Sequence, residues 1–344
     1  MTKPKHIAVI RLSAMGDVAM TVPVLRALVL QYPEVKLTVV SRPFFKPFFD
    51  GISNVDFFAV DVKGKHKGFL GLLRLYSDLK KLKIDFFADL HNVLRSQVVR
   101  NLFALSGMQV AATDKGRADK KALTRAQNKI FKPLKSMFER HADTFKKLGY
   151  AIDLSNPEFP KKAVLSEEIL KVTNEKSGNW IGIAPFAQYQ SKVYPLDLLQ
   201  QVIDGLAAEN NNTIFLFGGG QQEIEQLIHL KKEYDNVIVI AGKLKLQQEL
   251  DLISNLDMML SMDSGNAHIA AMLGIKVITL WGATHPYAGF KPFNQPDAFC
   301  IISERERYPL LPTSVYGNKK VEGYEDAMRS IPPETVINTI KKEL

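Results

Sequence analysis

Short apolar runs alternate with longer stretches of helical periodicity through the first half of the chain. The runs are rich in β-branched and aromatic residues and end in polar ones, which is typical of buried strands. They lie at 6–11, 35–41, 55–60 and 84–89. Between and after them, apolar positions recur at helical spacing at 17–31, 68–82 and 94–105. This alternation predicts an α/β fold in which helices cover both faces of a parallel sheet.

The same alternation begins again after a linker that contains Pro157, Pro160 and a polar run over 166–178. The strands predicted there lie at 180–184, 213–217, 237–241, 257–261 and 276–281. The helices lie at about 195–208, 221–232, 246–254 and 264–273, followed by a last one at 333–344. We therefore predict an N-terminal domain over 1–165, a C-terminal domain over 175–330 and a closing helix within 331–344.

The composition narrows the class of protein. Of the 344 residues, 46% are hydrophobic and 24% are charged, which excludes collagen-like and disordered chains. The single cysteine, Cys300, excludes an intramolecular disulfide and a cysteine-rich zinc cluster. No apolar run approaches the roughly 20 residues that span a bilayer, and the first residues lack the apolar stretch of a signal peptide. We therefore expect a cytoplasmic protein.

The net charge of +9 indicates an anionic partner, and one stretch of the chain carries most of it. From Thr113 to Lys147 there are eleven Lys and Arg residues against four Asp and Glu. Two interpretations remain open. The stretch is either a solvated helix face or a basic surface that collects an anionic substrate.

Candidate chemistry follows the ends of the predicted strands, where ligands bind in open α/β sheets. The first strand leads into a turn with a single glycine, Gly16, which disfavours the three-glycine dinucleotide fingerprint. Asp17 follows at the start of the next helix. It either stabilises the helix start or acts as a general base.

Three loops of the second half have the residues of an anion site. Lys192 lies between a strand and a helix, and Glu223 follows the triplet Gly218-Gly219-Gly220. The third loop contains Asp263-Ser264-Gly265, and His268 follows one turn into the helix. Backbone N–H groups at such helix starts suit a phosphate, while His268 is either catalytic or a histidine of the core.

These motifs, in this order and spacing, resemble glycosyltransferase family 9, the ADP-heptose:lipopolysaccharide heptosyltransferases. The most specific segments are RLSAMGDV with the following TVPVLRAL (Arg11 to Leu28), MDSGNAHIAA (Met262 to Ala271) and LWGATHP (Leu280 to Pro286). The resemblance implies a GT-B fold, in which two Rossmann-like, doubly wound parallel-sheet domains face each other across a cleft. It also implies an inverting transfer, with the nucleotide sugar mainly on the second domain and the acceptor on the first.

The resemblance also implies roles for individual residues. Asp17 matches the candidate catalytic base, Lys192 the lysine that contacts the diphosphate, and Glu223 the acid that contacts the ribose. The remaining donor-binding residues implied are Gly219, Asp263, Ser264, Gly265 and His268. On the acceptor side we expect Ser13, Gly16, Asn92, Arg95, Ser96, Lys120 and Arg125.

The expected donor is ADP-heptose, and the expected acceptor is the core of lipopolysaccharide or a similar anionic glycolipid. We expect peripheral contact with the inner face of the inner membrane and no nucleic-acid partner. Because the sequence has no dense carboxylate cluster, we expect no metal cofactor. Two alternatives remain at this point, namely a GT-B transferase that uses a UDP- or GDP-sugar with another acceptor, and a catalytically idle nucleotide-binding protein.

Overall fold

The computed structural model describes residues 5–344 and divides the chain into two compact units. The first unit contains residues 5–116 and Lys135–Phe159. The second contains Arg117–Leu134 and Pro160–Leu344. The chain therefore crosses between the units three times.

Both units are built from strands and helices in alternation. The strands are β1 (His6–Ile10), β2 (Lys36–Ser41), β3 (Val55–Ala59), β4 (Phe86–Asp89), β5 (Gln109–Ala112), β6 (Asn179–Ala184), β7 (Asn212–Leu216), β8 (Val237–Val239), β9 (Met258–Met262), β10 (Lys276–Trp281) and β11 (Cys300–Ile302). The helices are α1 (Met15–Ala19), α2 (Thr21–Gln31), α3 (Gly68–Lys80), α4 (Leu94–Leu105), α5 (Arg117–Thr124), α6 (Met137–Lys146), α7 (Glu167–Thr173), α8 (Leu196–Ala207), α9 (Gln221–Lys231), α10 (Leu246–Ile253), α11 (Gly265–Met272) and α12 (Pro333–Glu343).

The sheet of the first unit is parallel and has the order β3-β2-β1-β4-β5. The central strand β1 pairs on both sides, so that Ile7 lies between Leu37 and Phe86. Phe87 and Phe103 stack in the core beneath α4, with ring centroids 5.0 Å apart. The strand order reverses direction between β1 and β4, which is where open sheets of this kind bind ligands.

The sheet of the second unit is also parallel and has the order β11-β10-β9-β6-β7-β8. Counted within the unit, this is the strand order 3-2-1-4-5-6 of the Rossmann fold. The closing helix α12 packs on α8, and its Val336 and Ile340 belong to the core. At Gly205 of α8 a Cβ atom would come 2.7 Å from Ile337, so the close approach of the two helices requires glycine.

Most of the predicted elements are present, and the differences have local causes. The predicted helix at 17–31 begins at Met15 and is interrupted at Met20, which separates α1 from α2. The strands β5 and β11, of four and three residues, were not among the predicted strands. The linker predicted over 166–178 contains α7, whose periodicity extends over only 7 residues.

The basic stretch departs from the predicted domain boundaries. We predicted that residues 1–165 form one domain, but residues 117–134 belong to the second unit. Lys120 is 4% exposed and its amine lies 4.1 Å from the ring centre of Phe290. The backbone N–H of Leu134 donates to the carbonyl oxygen of Tyr287. The segment 117–134 is therefore a packed part of the second unit rather than a solvated face of the first.

Lys129 makes three hydrogen bonds, two of which tie this segment to the rest of the second unit. Its ammonium donates to the carbonyl oxygens of Leu310 and Pro312 at 2.8 Å each, and to that of Leu123 at 3.1 Å. Burial and the positive charges of Arg305 and Lys319 lower the pKa of this amine to about 8. The amine is therefore largely charged at neutral pH, and all three of its protons have acceptors.

Replacing Lys129 with methionine keeps the aliphatic stem and removes these three bonds. We expect Lys129→Met to lower the free energy of unfolding by about 1–3 kcal/mol, since carbonyl acceptors lose a charged donor in a half-buried place. Lys132→Met, at an exposed lysine of the same segment, is the matched control. Denaturant unfolding at neutral pH measures both, and equal stability of the two variants would contradict the assignment.

Candidate functional site

The turn after β1 holds Asp17 against a buried arginine. The Nη2 atom of Arg11 lies 2.7 Å from Oδ2 of Asp17, and its Nη1 donates to the carbonyl oxygen of Leu90 at 2.7 Å. The backbone N–H of Ala14 also donates to Asp17 Oδ2, at 3.2 Å. The peptide bond between Ser13 and Ala14 is cis. A guanidinium at this distance stabilises the ionised carboxylate, which is the form that can accept a proton.

The turn after β4 is built around a second carboxylate, Asp89, which is fully buried. It accepts hydrogen bonds from the backbone N–H groups of His91 and Asn92 and from the guanidinium of Arg100. Burial is the largest influence on Asp89 and raises the pKa of its carboxyl. Asn92 has a left-handed backbone, with φ of 45°, and its amide donates to the carbonyl oxygen of Thr113. Asp89 thus fixes the shape of the turn.

His91 projects from this turn toward the turn after β1. Its Nε2 atom lies 3.5 Å from the hydroxyl of Ser13. Burial, followed by the positive charges of Arg11 and Lys115, lowers the pKa of His91 to about 3. The imidazole is therefore neutral at physiological pH. Ser13, Asp17 and His91 belong to one cluster, and sequence reasoning included only the first two as site residues.

The predicted acceptor residues have different surroundings. Gly16 is half-buried in the same turn as Asp17, and Arg95 is exposed at the start of α4. Ser96, in contrast, is fully buried, and its hydroxyl exchanges hydrogen bonds with the backbone of Val93. The expected acceptor contact of Ser96 is wrong for this conformation, because the hydroxyl caps α4 and does not reach solvent.

Lys120 and Arg125 do not join the cluster around Asp17 within the first unit. Both belong to the segment 117–134 of the second unit. Lys120 is buried against Phe290, so our prediction that its amine is displayed for an acceptor is wrong. Arg125 is exposed, and its Nε atom donates to the carbonyl oxygen of Asn128 at 2.6 Å. The charges of the basic stretch are therefore divided between the two units.

In the second unit, a lysine and an aspartate from neighbouring strand ends form an ion pair. Lys192 Nζ lies 3.4 Å from Asp263 Oδ2, with only about a tenth of each side chain exposed. The hydroxyl of Thr284, which follows β10, donates to the same oxygen at 2.8 Å. Asp263 therefore holds the ammonium of Lys192 while Thr284 holds Asp263. The loop after β10 is a contributor that sequence reasoning did not include among the site residues.

The backbone around Lys192 is fixed by close contacts. The hydroxyl of Ser191 donates to the carbonyl oxygen of Gly317 at 2.7 Å, and its own carbonyl oxygen accepts from Ala283. A Cβ atom at Gly317 would come 2.7 Å from Cγ of Lys192, and at Gly282 it would meet the Ser191 carbonyl at 2.4 Å. These two glycines let three loops meet at Lys192. Gly282 lies within the LWGATHP segment, whereas Gly317 is a single glycine in a loop with little sequence signal.

The loop after β9 leads directly into α11. Ser264 precedes the helix with an extended backbone, and its hydroxyl lies 3.2 Å from that of Ser261. Gly265 and Asn266 are half-buried at the first turn. Because the first N–H groups of a helix have no intrahelical acceptor, this end of α11 can receive an anion. His268 is buried one turn further along the helix.

The glycine triplet after β7 is shaped by Glu223. The carboxylate of Glu223 accepts a hydrogen bond from the N–H of Gly219 at 2.7 Å. Gly220 has a φ of 82°, which favours glycine, and both Gly219 and Gly220 are exposed. The turn therefore has a solvent-exposed backbone next to a carboxylate in the first turn of α9. This arrangement suits a sugar, because the carboxylate can accept hydrogen bonds from the sugar's hydroxyl groups.

Comparison with known proteins shows the family to which the chain belongs. The family model described as "Glycosyltransferase family 9 (heptosyltransferase)" matches residues 72–314, which is more than half of the chain. The chain belongs to glycosyltransferase family 9 and is a glycosyltransferase. The resemblance inferred from the sequence motifs is thereby confirmed.

Two curated relatives carry related names. The chain is 25% identical over 353 residues to the lipopolysaccharide core heptosyltransferase OpsX of Haemophilus influenzae, across 98% of this chain and 97% of the relative. It is 26% identical over 301 residues to the lipopolysaccharide heptosyltransferase 1 of Campylobacter coli, across 82% of this chain and 85% of the relative.

Solved structures share the fold. A family 9 glycosyltransferase from Veillonella parvula has a TM-score of 0.76 at 18% identity, covering all of this chain and 98% of the other. The E. coli heptosyltransferase WaaC, solved with ADP, has a TM-score of 0.67 at 18% identity, covering 98% of this chain and 100% of the other. The prediction of two Rossmann-like parallel-sheet domains of the GT-B type is confirmed.

The surroundings of His91 generate a prediction about acid stability. The unfolded chain protonates His91 near its ordinary pKa of 6.5, whereas the folded protein does so only near 3. Between these values the unfolded state binds more protons, so the free energy of unfolding decreases as the pH falls. We expect His91→Gln to remove part of this decrease, measured by urea unfolding at about pH 7 and about pH 5.

A matched control is His229→Gln, at an exposed histidine of α9. It should lose as much stability between the two pH values as the unmodified protein does. For each variant, the free energy of unfolding at the lower pH is subtracted from that at the higher pH. A loss of packing that is the same at both pH values therefore cancels. If His91→Gln loses as much stability on acidification as His229→Gln, burial of neutral His91 does not contribute.

Proposed function

We propose that this glycosyltransferase moves a heptose from ADP-heptose to the core of a lipopolysaccharide or a similar anionic glycolipid. The observation that carries the proposal is the ion pair of Lys192 and Asp263 next to the start of α11. It puts a fixed cation and unsatisfied N–H groups at neighbouring strand ends, in a chain whose curated relatives are named heptosyltransferases.

The donor is assigned to the second unit. The diphosphate would contact Lys192 and the N–H groups at Gly265, with Ser264 as a further hydroxyl donor. Glu223 would accept hydrogen bonds from the ribose, beside the open backbone of Gly219. The carboxylate of Asp263 cannot bind a diphosphate directly, because both are negative, and its role would be to orient Lys192. His268 lies one turn behind the start of α11 and would contact the sugar side of the diphosphate.

The transfer itself needs a base for the acceptor and charge stabilisation for the leaving group. Asp17 forms an ion pair with Arg11 and would take the proton from the attacking hydroxyl of the acceptor. The bond between the anomeric carbon and the diphosphate breaks as the new bond forms on the opposite face, which inverts the configuration. Negative charge on the departing diphosphate would be stabilised by Lys192 and the start of α11.

We expect this stabilisation to work without a metal ion. Lys192 and the start of α11 supply positive charge and N–H donors where a divalent cation would otherwise act. Within residues 5–344, no group of three or more His, Cys, Asp or Glu side chains is arranged to hold a metal ion. Activity of the purified protein in the presence of a chelator is the corresponding measurement.

The acceptor is assigned to the first unit, with Ser13, Gly16 and Arg95 at the turns around Asp17. A glycolipid acceptor lies in a membrane, and we propose that the protein acts from the cytoplasm in peripheral contact with the inner membrane. Among the described residues, no helix has the length and apolar character needed to cross a bilayer.

The direct test is incubation of the protein with ADP-heptose and a lipopolysaccharide-core acceptor, with the mass of the product as the readout. The proposal expects an increase of one heptose and release of ADP. Thermal shifts with ADP, UDP and GDP identify the base, and we expect the largest stabilisation with ADP. Preference for UDP or GDP, with no heptose transfer, would favour a GT-B transferase that uses another donor.

Asp17→Asn tests the general base. We expect turnover to fall about 10²–10⁴-fold, because the amide cannot accept the proton, while affinity for ADP stays unchanged. Asp56→Asn is the matched control, since this exposed aspartate of β3 also pairs with a basic residue, Lys36. Single-turnover kinetics and ADP titration measure the two quantities. Near-normal turnover would leave Asp17 with only its structural bonds to Arg11 and Ala14.

Lys192→Ala tests the diphosphate contact. We expect weaker binding of ADP and also slower turnover, since the lysine would contact the diphosphate in both the ground state and the transition state. Lys176→Ala is the control, because Lys176 also pairs with an aspartate, Asp257, but at the opposite edge of the same sheet. Calorimetric titration with ADP measures both variants. Equal affinity of the two would remove Lys192 from the donor site.

A further inference from the structure

Two consecutive large apolar residues are exposed to solvent at the first turn of α3. Phe69 is 65% exposed and Leu70 is 69% exposed. The inner face of the same helix packs in the core of the first unit, where Leu72, Leu75 and Leu79 are buried. Single exposed apolar residues are common on protein surfaces, but a neighbouring pair at one helix end forms a patch.

The loop before α3 holds this pair in a fixed position. His66 is buried; its Nδ1 accepts from the N–H of Asp61, and its Nε2 lies 3.3 Å from the carboxylate of Asp78 on α3. A Cβ atom at Gly71 would come 2.3 Å from the carbonyl carbon of His66, so the loop packs directly on the helix. The exposure of Phe69 and Leu70 is therefore set by a tightly packed loop.

The same loop carries three lysines in the residues that precede the apolar pair. Lys63, Lys65 and Lys67 are all exposed. The carboxylate of Asp61 accepts hydrogen bonds from the backbone N–H groups of residues 63, 64 and 65. Lys65 pairs with Asp78 at 2.5 Å, which leaves Lys63 and Lys67 as the lysines that flank the patch.

The loop 61–67 and the first turn of α3 follow β3, at the carboxyl edge of the sheet. The turns after β1, β2 and β3 all lie at the carboxyl edge of this sheet, and the turn after β1 holds Asp17. Since adjacent strands are about 4.8 Å apart, β3 lies roughly 10 Å from β1.

We propose that Phe69 and Leu70, together with Lys63 and Lys67, form a docking surface for an anionic lipid bilayer. Apolar side chains next to lysines are what an interfacial contact requires, because the former enter the headgroup boundary and the latter attract anionic lipids. The proposal deepens the proposed function, since this edge of the sheet also holds Asp17, to which a membrane-bound acceptor would be presented.

The experiment uses the full chain and vesicles that contain no acceptor, so its result does not depend on the transfer reaction. Vesicles of phosphatidylglycerol and phosphatidylethanolamine in equal parts are compared with vesicles of phosphatidylcholine alone. We expect flotation with the anionic vesicles only, decreasing as salt is added. Phe69→Ser/Leu70→Ser should lower the bound fraction roughly tenfold, and Lys63→Gln/Lys67→Gln roughly fivefold for each lysine.

The matched control is Leu105→Ser, at a leucine that is 86% exposed at the end of α4, on the opposite edge of the sheet. It should bind vesicles as the unmodified protein does. Equal binding of Phe69→Ser/Leu70→Ser and Leu105→Ser would overturn the proposal, as would absence of binding by the unmodified protein. A concentration-dependent dimer that only the double variant loses would also overturn it, in favour of contact with a second copy.

A second readout separates this proposal from the proposed function. Phe69→Ser/Leu70→Ser should raise the apparent KM for an acceptor embedded in vesicles while leaving kcat/KM for a short soluble acceptor unchanged. Transfer to the soluble acceptor with normal vesicle binding by the double variant overturns only the docking surface. Vesicle binding that depends on Phe69 and Leu70 in a protein without heptose transfer supports the surface and contradicts the proposed function.

Discussion

Parallel pairing of every strand is the constraint on which both sites depend. In a parallel sheet, all strands end at the same edge, so the turns that follow them are neighbours even when they are far apart in sequence. In the second unit this brings Lys192, Asp263 and Thr284 together from turns after β6, β9 and β10. The chemistry of the site is therefore a consequence of strand order, which here is that of a Rossmann fold.

Each unit has an ion pair at the carboxyl edge of its own sheet. The first pair positions a carboxylate, and the second positions an ammonium group. In the first unit, buried Arg11 pairs with the carboxylate of Asp17, which stays partly exposed. In the second, Asp263 holds the ammonium of Lys192, and Thr284 in turn holds Asp263. A charged side chain that is already held by a partner loses little conformational entropy when a ligand binds. It can therefore bind and stabilise charge better than a mobile side chain can.

The segment 117–134 shows that charge along the sequence does not predict where charge lies on the surface. Lys120 and Lys129 contribute to the most basic stretch of the chain, yet one is buried against an aromatic ring and the other donates to three carbonyl oxygens. Long aliphatic stems allow lysines to pack in this way. The short loop at 61–67 of the first unit, in contrast, displays three exposed lysines just before the exposed Phe69 and Leu70.

The sequence by itself determined the repeated strand and helix order, because periodicity depends on neighbouring residues. It also proposed Asp17, Lys192, Glu223 and Asp263 as site residues, from their places in the segments that follow strands and from the resemblance to family 9, and these assignments stay predictions. The pairing of Arg11 with Asp17, the contact of Thr284 with Asp263 and the burial of Ser96 were decided only by tertiary structure. The same is true of the place of residues 117–134, because the contacts of Lys129 join residues more than 180 positions apart. Such contacts depend on packing between distant segments, for which local sequence patterns carry no signal.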